Sequence, residues 1–326
     1  MNRELFKTAG SVTAFAPATV ANVAVGFDIL GFSVDGVGDE VTVSVLETPG
    51  KVEVIEISGV VTDLPKQSSK NTAAVALHAM IDDLGLPHGF SIRIKKGIAM
   101  GSGMGGSAAS AVGAVVAAGA LLTRLDPPFR RKPLLEAKLL EYALQGEKAA
   151  SGAIHGDNVG PCLKGGLTLI LPSMAMVSIP TPRDVFALLV HPDLEIETRQ
   201  ARGILKKEVP LSQWVEQSSW LGGFLAGCFK SDLELIRASM KDVVIEPQRA
   251  QLIPGFSELK AEALKLGALG FSISGSGPSV FAWVPGKELA ENISRRLIEI
   301  FRRRNISAHA WVTPLSSPGA RVRSES

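Results

Sequence analysis

From Asp39 to Glu47 the chain alternates, with Val41, Val43 and Val45 on one side and polar residues on the other. That period of two is the mark of a half-buried strand. Residues 51–58 repeat the alternation less strictly. Thr48-Pro49-Gly50 between the two runs is a turn sequence, so together they predict a hairpin. A third alternating run, Ser91-Ile92-Arg93-Ile94-Lys95-Lys96, leads into a glycine-rich stretch and then an alanine-rich apolar segment. Helical spacing predicts helices over 72–84, 134–148, 211–229, 231–242 and 255–266, and shorter apolar runs predict strands over 166–171, 185–190, 271–274 and 279–284. Residues 151–161, polar and glycine-rich, read as a loop. Strands and helices are mixed without strict βαβ alternation, which predicts an α+β protein. The composition places the boundary between two domains near residue 170, giving 1–170 and 171–326.

The glycine stretch is Gly97-Ile98-Ala99-Met100-Gly101-Ser102-Gly103-Met104-Gly105-Gly106-Ser107. Strand, glycine loop and helix start in that order expose backbone N–H groups at the positive end of a helix dipole, which suits a phosphate. Lys96 could add a cation there, and Ser107 a hydroxyl for a metal ion. A tight turn with close helix–sheet packing would give the same sequence. Gly101, Gly103 and Gly106 also satisfy the dinucleotide fingerprint. Its ribose-binding acid would have to be Asp126, which stands before Pro127-Pro128 and not at a strand end. No Lys precedes Ser107, so the P-loop pattern is absent. Residues 97–123 carry no charge. Their first ten are loop-forming, and the helical remainder falls short of the ~20 residues of a membrane span, so a buried central helix is expected.

Length and composition narrow the remaining classes. At 326 residues, 46% hydrophobic and 20% charged, the chain can bury a sizeable core. A net charge of +2 does not suit an electrostatically driven nucleic-acid binder. The basic run Arg302-Arg303-Arg304 lies on an amphipathic pattern with Ile293, Leu297, Ile300 and Phe301 inward, so it reads as a solvated helix face. Two cysteines, Cys162 and Cys228, suit a reducing compartment. Residues 1–7 contain no apolar signal core, and the expectation is a cytoplasmic protein with neither membrane nor nucleic acid as partner. Five scattered histidines show no metal-ligand spacing.

Three separated segments carry a family resemblance: Ala16-Pro17-Ala18-Thr19-Val20-Ala21-Asn22-Val23-Ala24-Val25-Gly26-Phe27-Asp28, Met100 to Ala109, and Ile273-Ser274-Gly275-Ser276-Gly277-Pro278. Together they resemble the three signatures of the GHMP small-molecule kinases. The first, with Ser151-Gly152-Ala153-Ile154-His155-Gly156-Asp157-Asn158 and Lys241-Asp242-Val243-Val244-Ile245-Glu246-Pro247, is similar to the homoserine-phosphorylating branch. The resemblance spans nearly the whole chain. It implies an N-terminal ribosomal-protein-S5-like domain, a C-terminal ferredoxin-like domain and an active site between them. It also implies ATP, Mg²⁺ and L-homoserine, and nothing in the sequence opposes a homodimer. Acceptance of another small hydroxylated metabolite, or a binding protein on the same scaffold, are the competing readings.

By the same resemblance, Asn71, Lys96, Ala99, Met100, Gly101, Ser102, Gly103, Met104, Gly105, Gly106, Ser107, Ala108 and Ala109 form the ATP site, and Ser107 and Glu147 hold the metal. Asp28 receives the substrate ammonium, and Arg202 and Arg249 its carboxylate. Asn22, His155 and Asn158 complete the acceptor site. Asn158, Thr198 and Arg202 act in the transfer. Taken one at a time these residues have plainer readings: an N-cap for Ser107, a solvated helix residue for Glu147, a strand-end lysine for Lys96, a turn residue for Asn71 and surface arginines. Asn158 stands where mevalonate and galactose kinases have an aspartate base, so no general base is nominated, and adjacency alone does not place Asp157 in the site. Ala99, Met104 and Gly106 replace the family's usual Pro, Leu and Ser. The first and last of these predict a looser loop.

Overall fold

The computed structural model describes residues 10–125, 127–151 and 156–325. Residues 1–7, Asp126 and His155, all used above, lie outside them. The first sheet contains β1 (Ser11–Ala21), β2 (Leu30–Leu46), β3 (Val52–Gly59), β4 (Gly89–Lys96), β5 (Leu167–Ile170) and β6 (Met176–Ile179). The second contains β7 (Val185–Pro192), β8 (Gly270–Ile273), β9 (Val280–Pro285) and β10 (Ala308–Pro314), in the order β10-β7-β9-β8 and antiparallel throughout. A last strand, β11 (Arg321–Glu325), returns to the first sheet and pairs with β1. The boundary expected at residue 170 therefore falls inside the β5–β6 hairpin. The sheets part between Ile179 and Val185, and β11 crosses back.

The order of the first sheet is β11-β1-β2-β4-β3, with β5 also on β2. The predicted hairpin of β2 and β3 does not form. β4 lies between them, antiparallel to β2 and parallel to β3. The helix α1 (Thr72–Leu84) makes the crossover that a parallel pair requires. The 48–50 turn passes over the start of β4 instead of pairing its flanks. Gly89 permits this, since a Cβ there would stand 2.0 Å from the Lys51 carbonyl oxygen.

Against this sheet lies α2 (Gly106–Leu125), with 13 of its 20 residues buried. At 20 residues it is long and apolar enough to cross a membrane, contrary to the length argument above. What marks it as a core helix is packing: Gly113 lets it approach Val41 and Ala16, and it contacts α1, β1 and β2. After α3 (Pro127–Arg131) come α4 (Glu136–Ser151) and α5 (Gly156–Lys164). The glycine-rich stretch expected as a loop thus contains a helix. Gly156 and Gly160 seat it against Ile170, where Cβ atoms would come within 2.8 and 2.3 Å of that side chain. Beyond β7 lie α6 (Thr198–Gly203), α7 (Leu211–Lys230), α8 (Leu233–Ser239), α9 (Glu246–Arg249), α10 (Phe256–Lys265) and α11 (Lys287–Arg302).

The second sheet is apolar on both faces. Leu188, Val190, Val280, Ala282 and Val284 face one core with α10 and α11, while Ala187, Leu189, Phe281 and Trp283 join the core of the first sheet. Phe32 of β2 meets Phe281 edge-on at 5.7 Å, and Phe224 lies 5.0 Å from Trp283. The two halves therefore share one continuous apolar core, with a cleft along one side. On α11, Ile293, Leu297, Ile300 and Phe301 are buried as the pattern predicted, and Arg302 and Arg303 pair with Glu299 and Glu258 at the surface.

Candidate active site

A cleft of about 580 Å³ opens where the glycine loop, the 22–28 segment, α6 and the 275–276 turn meet. The loop runs from the end of β4 into α2. Gly101, Gly103 and Gly105 all have positive φ, at 55°, 71° and 69°. Two of these positions are also closed to a side chain. A Cβ on Gly103 would stand 2.4 Å from the Ser274 carbonyl oxygen, and one on Gly105 would stand 2.2 Å from Thr19 Oγ1. The Ser274 hydroxyl donates to the Gly103 carbonyl at 2.7 Å, and the Ser279 N–H reaches the Ser102 carbonyl at 3.3 Å. The loop is thus braced by the third signature. Gly106 is no loop residue but the first of α2, and its virtual Cβ lies 3.2 Å from Ile98. A glycine there relieves crowding, and the substitution expected to loosen the loop falls at the start of the helix.

Lys96 lines the cleft but is only 5% exposed. Its ammonium pairs with Asp39 and donates to the Gly106 carbonyl at 2.8 Å and Ser110 Oγ at 2.9 Å. Those three partners take all three of its hydrogens. Asn71 caps α1: its Oδ1 accepts from the Ala74 N–H at 3.2 Å and its Nδ2 donates to the Pro65 carbonyl at 2.9 Å. It is therefore both a cap and part of the cleft wall. Ser107, in the first turn of α2, donates to Glu147 Oε2 at 2.6 Å across from α4, and Glu147 is buried. A hydroxyl beside a carboxylate, both on the cleft wall, is an oxygen set that suits a small hard cation completed by phosphate and water. Among the described residues no group of three or more His, Cys, Asp or Glu could hold a metal.

The opposite wall carries charge. After β1 the backbone turns left-handed at Asn22, Val23 and Ala24, with φ of 72°, 45° and 58°, and again at Asp28 at 61°. At Val23 and Ala24 this costs roughly 1–2 kcal/mol each. Burial of Val23, Ala24 and Val25 holds the turn, as do a bond from the Gly26 N–H to the Asn22 carbonyl and another from Gln217 of α7 to the Val25 carbonyl. Asn22 Nδ2 donates to the Gly275 carbonyl and its Oδ1 accepts from the Asp28 N–H. Asp28 is gripped by both Arg202 Nη atoms, at 2.8 and 3.0 Å. The expected ammonium and carboxylate partners of a substrate are thus paired with each other.

Arg249 is buried. It donates to the Ala201 and Gly275 carbonyls, and it shares the Phe27 ring with Arg202 at 5.3 and 5.5 Å. Burial first, and the Arg202 charge second, push its guanidinium below the ordinary arginine value. Asp242 shapes the approach to α9 by accepting from the Val244, Ile245 and Glu246 N–H groups, and burial raises its pKa despite them.

Thr198 stands exposed at the start of α6, one helical turn from Arg202, and both line the cleft. Asn158 lines it from α5 with the buried Asp157 beside it, so Asp157 does belong to the cleft wall. The cleft wall thus brings together Asn22, Asp28, Asn71, Lys96, residues 99–107, Glu147, Asn158, Thr198, Arg202 and Arg249, but neither Ala108 nor Ala109, both buried in α2. Sequence reasoning missed Thr19, Asp39, Ser110 and Phe27 as site residues. Thr19 and Phe27 lay inside a quoted signature, while Asp39 and Ser110 had no local signal.

Residues 71–166 match the family model described as GHMP kinases N terminal domain, and residues 224–303 that described as GHMP kinases C terminal. A homoserine kinase of Xylella fastidiosa (strain M12) is 51% identical over 316 residues, covering 97% of this chain and 95% of its own. One of Chloroherpeton thalassium is 42% identical over 95% of this chain and 99% of its own. The crystal structure of homoserine kinase from Cytophaga hutchinsonii gives a TM-score of 0.91 at 41% identity, covering 96% of this chain and 98% of that one. The crystal structure of L. major mevalonate kinase, at 15% identity and a TM-score of 0.63, shares the fold.

Proposed function

The chain belongs to the homoserine kinases of the GHMP kinase family, and from that premise we propose how its own residues carry the transfer. The reaction moves the γ-phosphoryl group of ATP to the side-chain hydroxyl of L-homoserine, giving O-phospho-L-homoserine for threonine biosynthesis. One observation supports the residue assignment above all. The left-handed glycine loop and the Asp28, Arg202, Arg249 set face each other across a single cleft. A phosphate cradle and a zwitterion site are what a kinase acting on an amino acid needs.

In this reading the loop from Ala99 to Ser107, with Ala108 and Ala109 behind it and Asn71 beside it, holds the nucleotide. Ser107 and Glu147 would hold Mg²⁺, which when bound neutralises charge on the phosphates. The substrate ammonium takes Asp28 and its carboxylate takes Arg202, so each half of the resting ion pair exchanges its partner for one of like charge. Arg249 lends further positive charge and fixes α6 through Ala201. Asn22 holds Asp28 in place, and His155 belongs to the acceptor side by family resemblance.

The homoserine hydroxyl oxygen bonds to the γ-phosphorus, the bond to the bridging oxygen breaks, and ADP leaves with that electron pair. Asn158 orients the hydroxyl, and Thr198 and Arg202 meet the transferred phosphoryl group. The hydroxyl proton passes late to a phosphoryl oxygen. A loose transition state needs positioning and charge neutralisation more than a strong base, so this scheme gives Asp157 no proton. A cytoplasmic location is part of the same proposal, supported by a chain with only two cysteines, and a homodimer is the assembly to test by sedimentation.

A panel of hydroxyl acceptors in a coupled ADP-release assay tests the reading. Turnover is expected with L-homoserine and not with mevalonate or a sugar. Turnover of those with homoserine silent would overturn it.

A further inference from the structure

We propose that Asp39 is a positioning residue for the nucleotide loop, acting as a buried latch that ties the loop's two ends together. The inference rests on the reading that this loop holds the ATP phosphates. Asp39 sits in β2 with no exposed surface, although it is a carboxylate in an apolar layer. A buried charge of this kind persists only when paired and hydrogen-bonded. Its Oδ1 accepts the Gly97 N–H at 3.0 Å, where the loop leaves β4. Its Oδ2 accepts from Ser110 Oγ at 2.8 Å and from Lys96. Ser110 belongs to the second turn of α2, and Lys96 in turn donates to the Gly106 carbonyl at 2.8 Å, where the loop ends.

One carboxylate therefore fixes the strand end, the helix start and the lysine between them. Two glycines make the approach possible. A Cβ on Gly97 would stand 2.1 Å from the Gly38 carbonyl oxygen, and one on Gly38 would stand 2.2 Å from that of Ala16.

The same geometry redefines Lys96. Its three ammonium hydrogens are committed to Asp39, Gly106 and Ser110, and its charge is balanced by Asp39. It works on the nucleotide through the shape of the loop and not as a direct phosphate donor. The span between Gly97 and Gly106 can present converging N–H groups only while its ends keep this separation. Loss of the latch falls on nucleotide binding, because the Asp28–Arg202 side shares none of these bonds.

The test is steady-state kinetics on the full chain, with ATP and homoserine varied separately. Asp39→Asn keeps the side chain's size and removes the charge that anchors Lys96. Its KM for ATP is expected to rise about tenfold or more, with the KM for homoserine within about twofold of the parent. Ser110→Ala keeps both charges and removes the hydroxyl between them, and is expected to raise the ATP KM about threefold. It decides the matter alone if Asp39→Asn does not fold. Gly105→Ala checks the underlying reading, because it displaces the loop itself: its Cβ would stand 2.2 Å from Thr19 Oγ1 of β1 and 2.8 Å from Asn158 Oδ1. If Gly105→Ala raises the ATP KM while the two latch variants leave it unchanged, the latch is refuted and the loop's role stands. If none of the three moves it, the phosphate reading falls as well. Equal rises in both Michaelis constants for the latch variants would show general loosening and overturn the proposal.

Discussion

Thr19 joins the glycine loop to Asn158 through one residue. It is fully buried, its N–H binds the Met104 carbonyl at 3.1 Å, and its hydroxyl donates to Asn158 Oδ1 at 2.8 Å. With the oxygen of that amide held, Asn158 has its N–H₂ to offer a ligand. An amide N–H donates and takes no proton, which agrees with transfer without a base at this position. Thr19→Val keeps the shape and removes the donor. We expect kcat to fall roughly tenfold or more, the worth of one such hydrogen bond in an active site, with the ATP KM little changed. Thr19→Ser should restore most of the rate, and a failure of serine to do so would refute the assignment. Asp28 was expected at the cleft because it ends a quoted family signature and Arg249 because it closely follows another, while Arg202 came from the family resemblance alone; all three line the cleft. Thr19 was not expected there, because its partner lies 139 residues away and no local pattern announces such a pair. Asp39 was hidden differently, at the polar start of an alternating run, where an aspartate reads as solvent-facing.

At the scale of elements, helices and strands with strong periodicity were legible, and α1 runs over the predicted residues. What misled was turn chemistry read without its neighbours. Thr48-Pro49-Gly50 is a sound turn signal, yet β2 and β3 each pair with β4. Two glycines separate the local requirement from the topological one. Gly50 has a φ of 69° and open space around it, while a Cβ on Gly89 would collide with the Lys51 and Thr48 carbonyls. Gly50→Ala should cost about 1 kcal/mol, the strain of a left-handed alanine. Gly89→Ala should cost about 2–3 kcal/mol as the connection is forced off the sheet. Urea midpoints measure both, and equal costs would contradict the crossing. The segment after β1 shows the opposite failure. Val23 favours an extended strand on its own and Ala24 a right-handed helix, but the fold holds both left-handed beside the cleft. Local preference gives way where function stores strain.

Across the whole molecule, the α+β class and the pair of sheets followed from the mixed pattern and the family signatures. The first sheet extends past residue 170, because β5, β6 and β11 belong to it by long-range pairing that composition does not register. The continuous core through Phe32, Phe281, Trp283 and Phe224 ties the halves together. Unfolding should therefore be a single transition, coincident by far-ultraviolet circular dichroism and tryptophan fluorescence. Two separated transitions would show that each half stands alone.

The pairing of β11 with β1 also sets an order of events during synthesis. Val12, Thr13, Ala14 and Phe15 take partners from residues 321–325, and Arg321 and Arg323 lie over the Phe15 ring. At about 5–20 residues per second, β1 waits tens of seconds for its outer neighbour. A nascent chain stopped short of residue 321 leaves that edge open, a template for association with other chains. The segment 321–325 is in this way required to close the first sheet: a product that lacks it carries an open strand edge more than three hundred residues away in sequence.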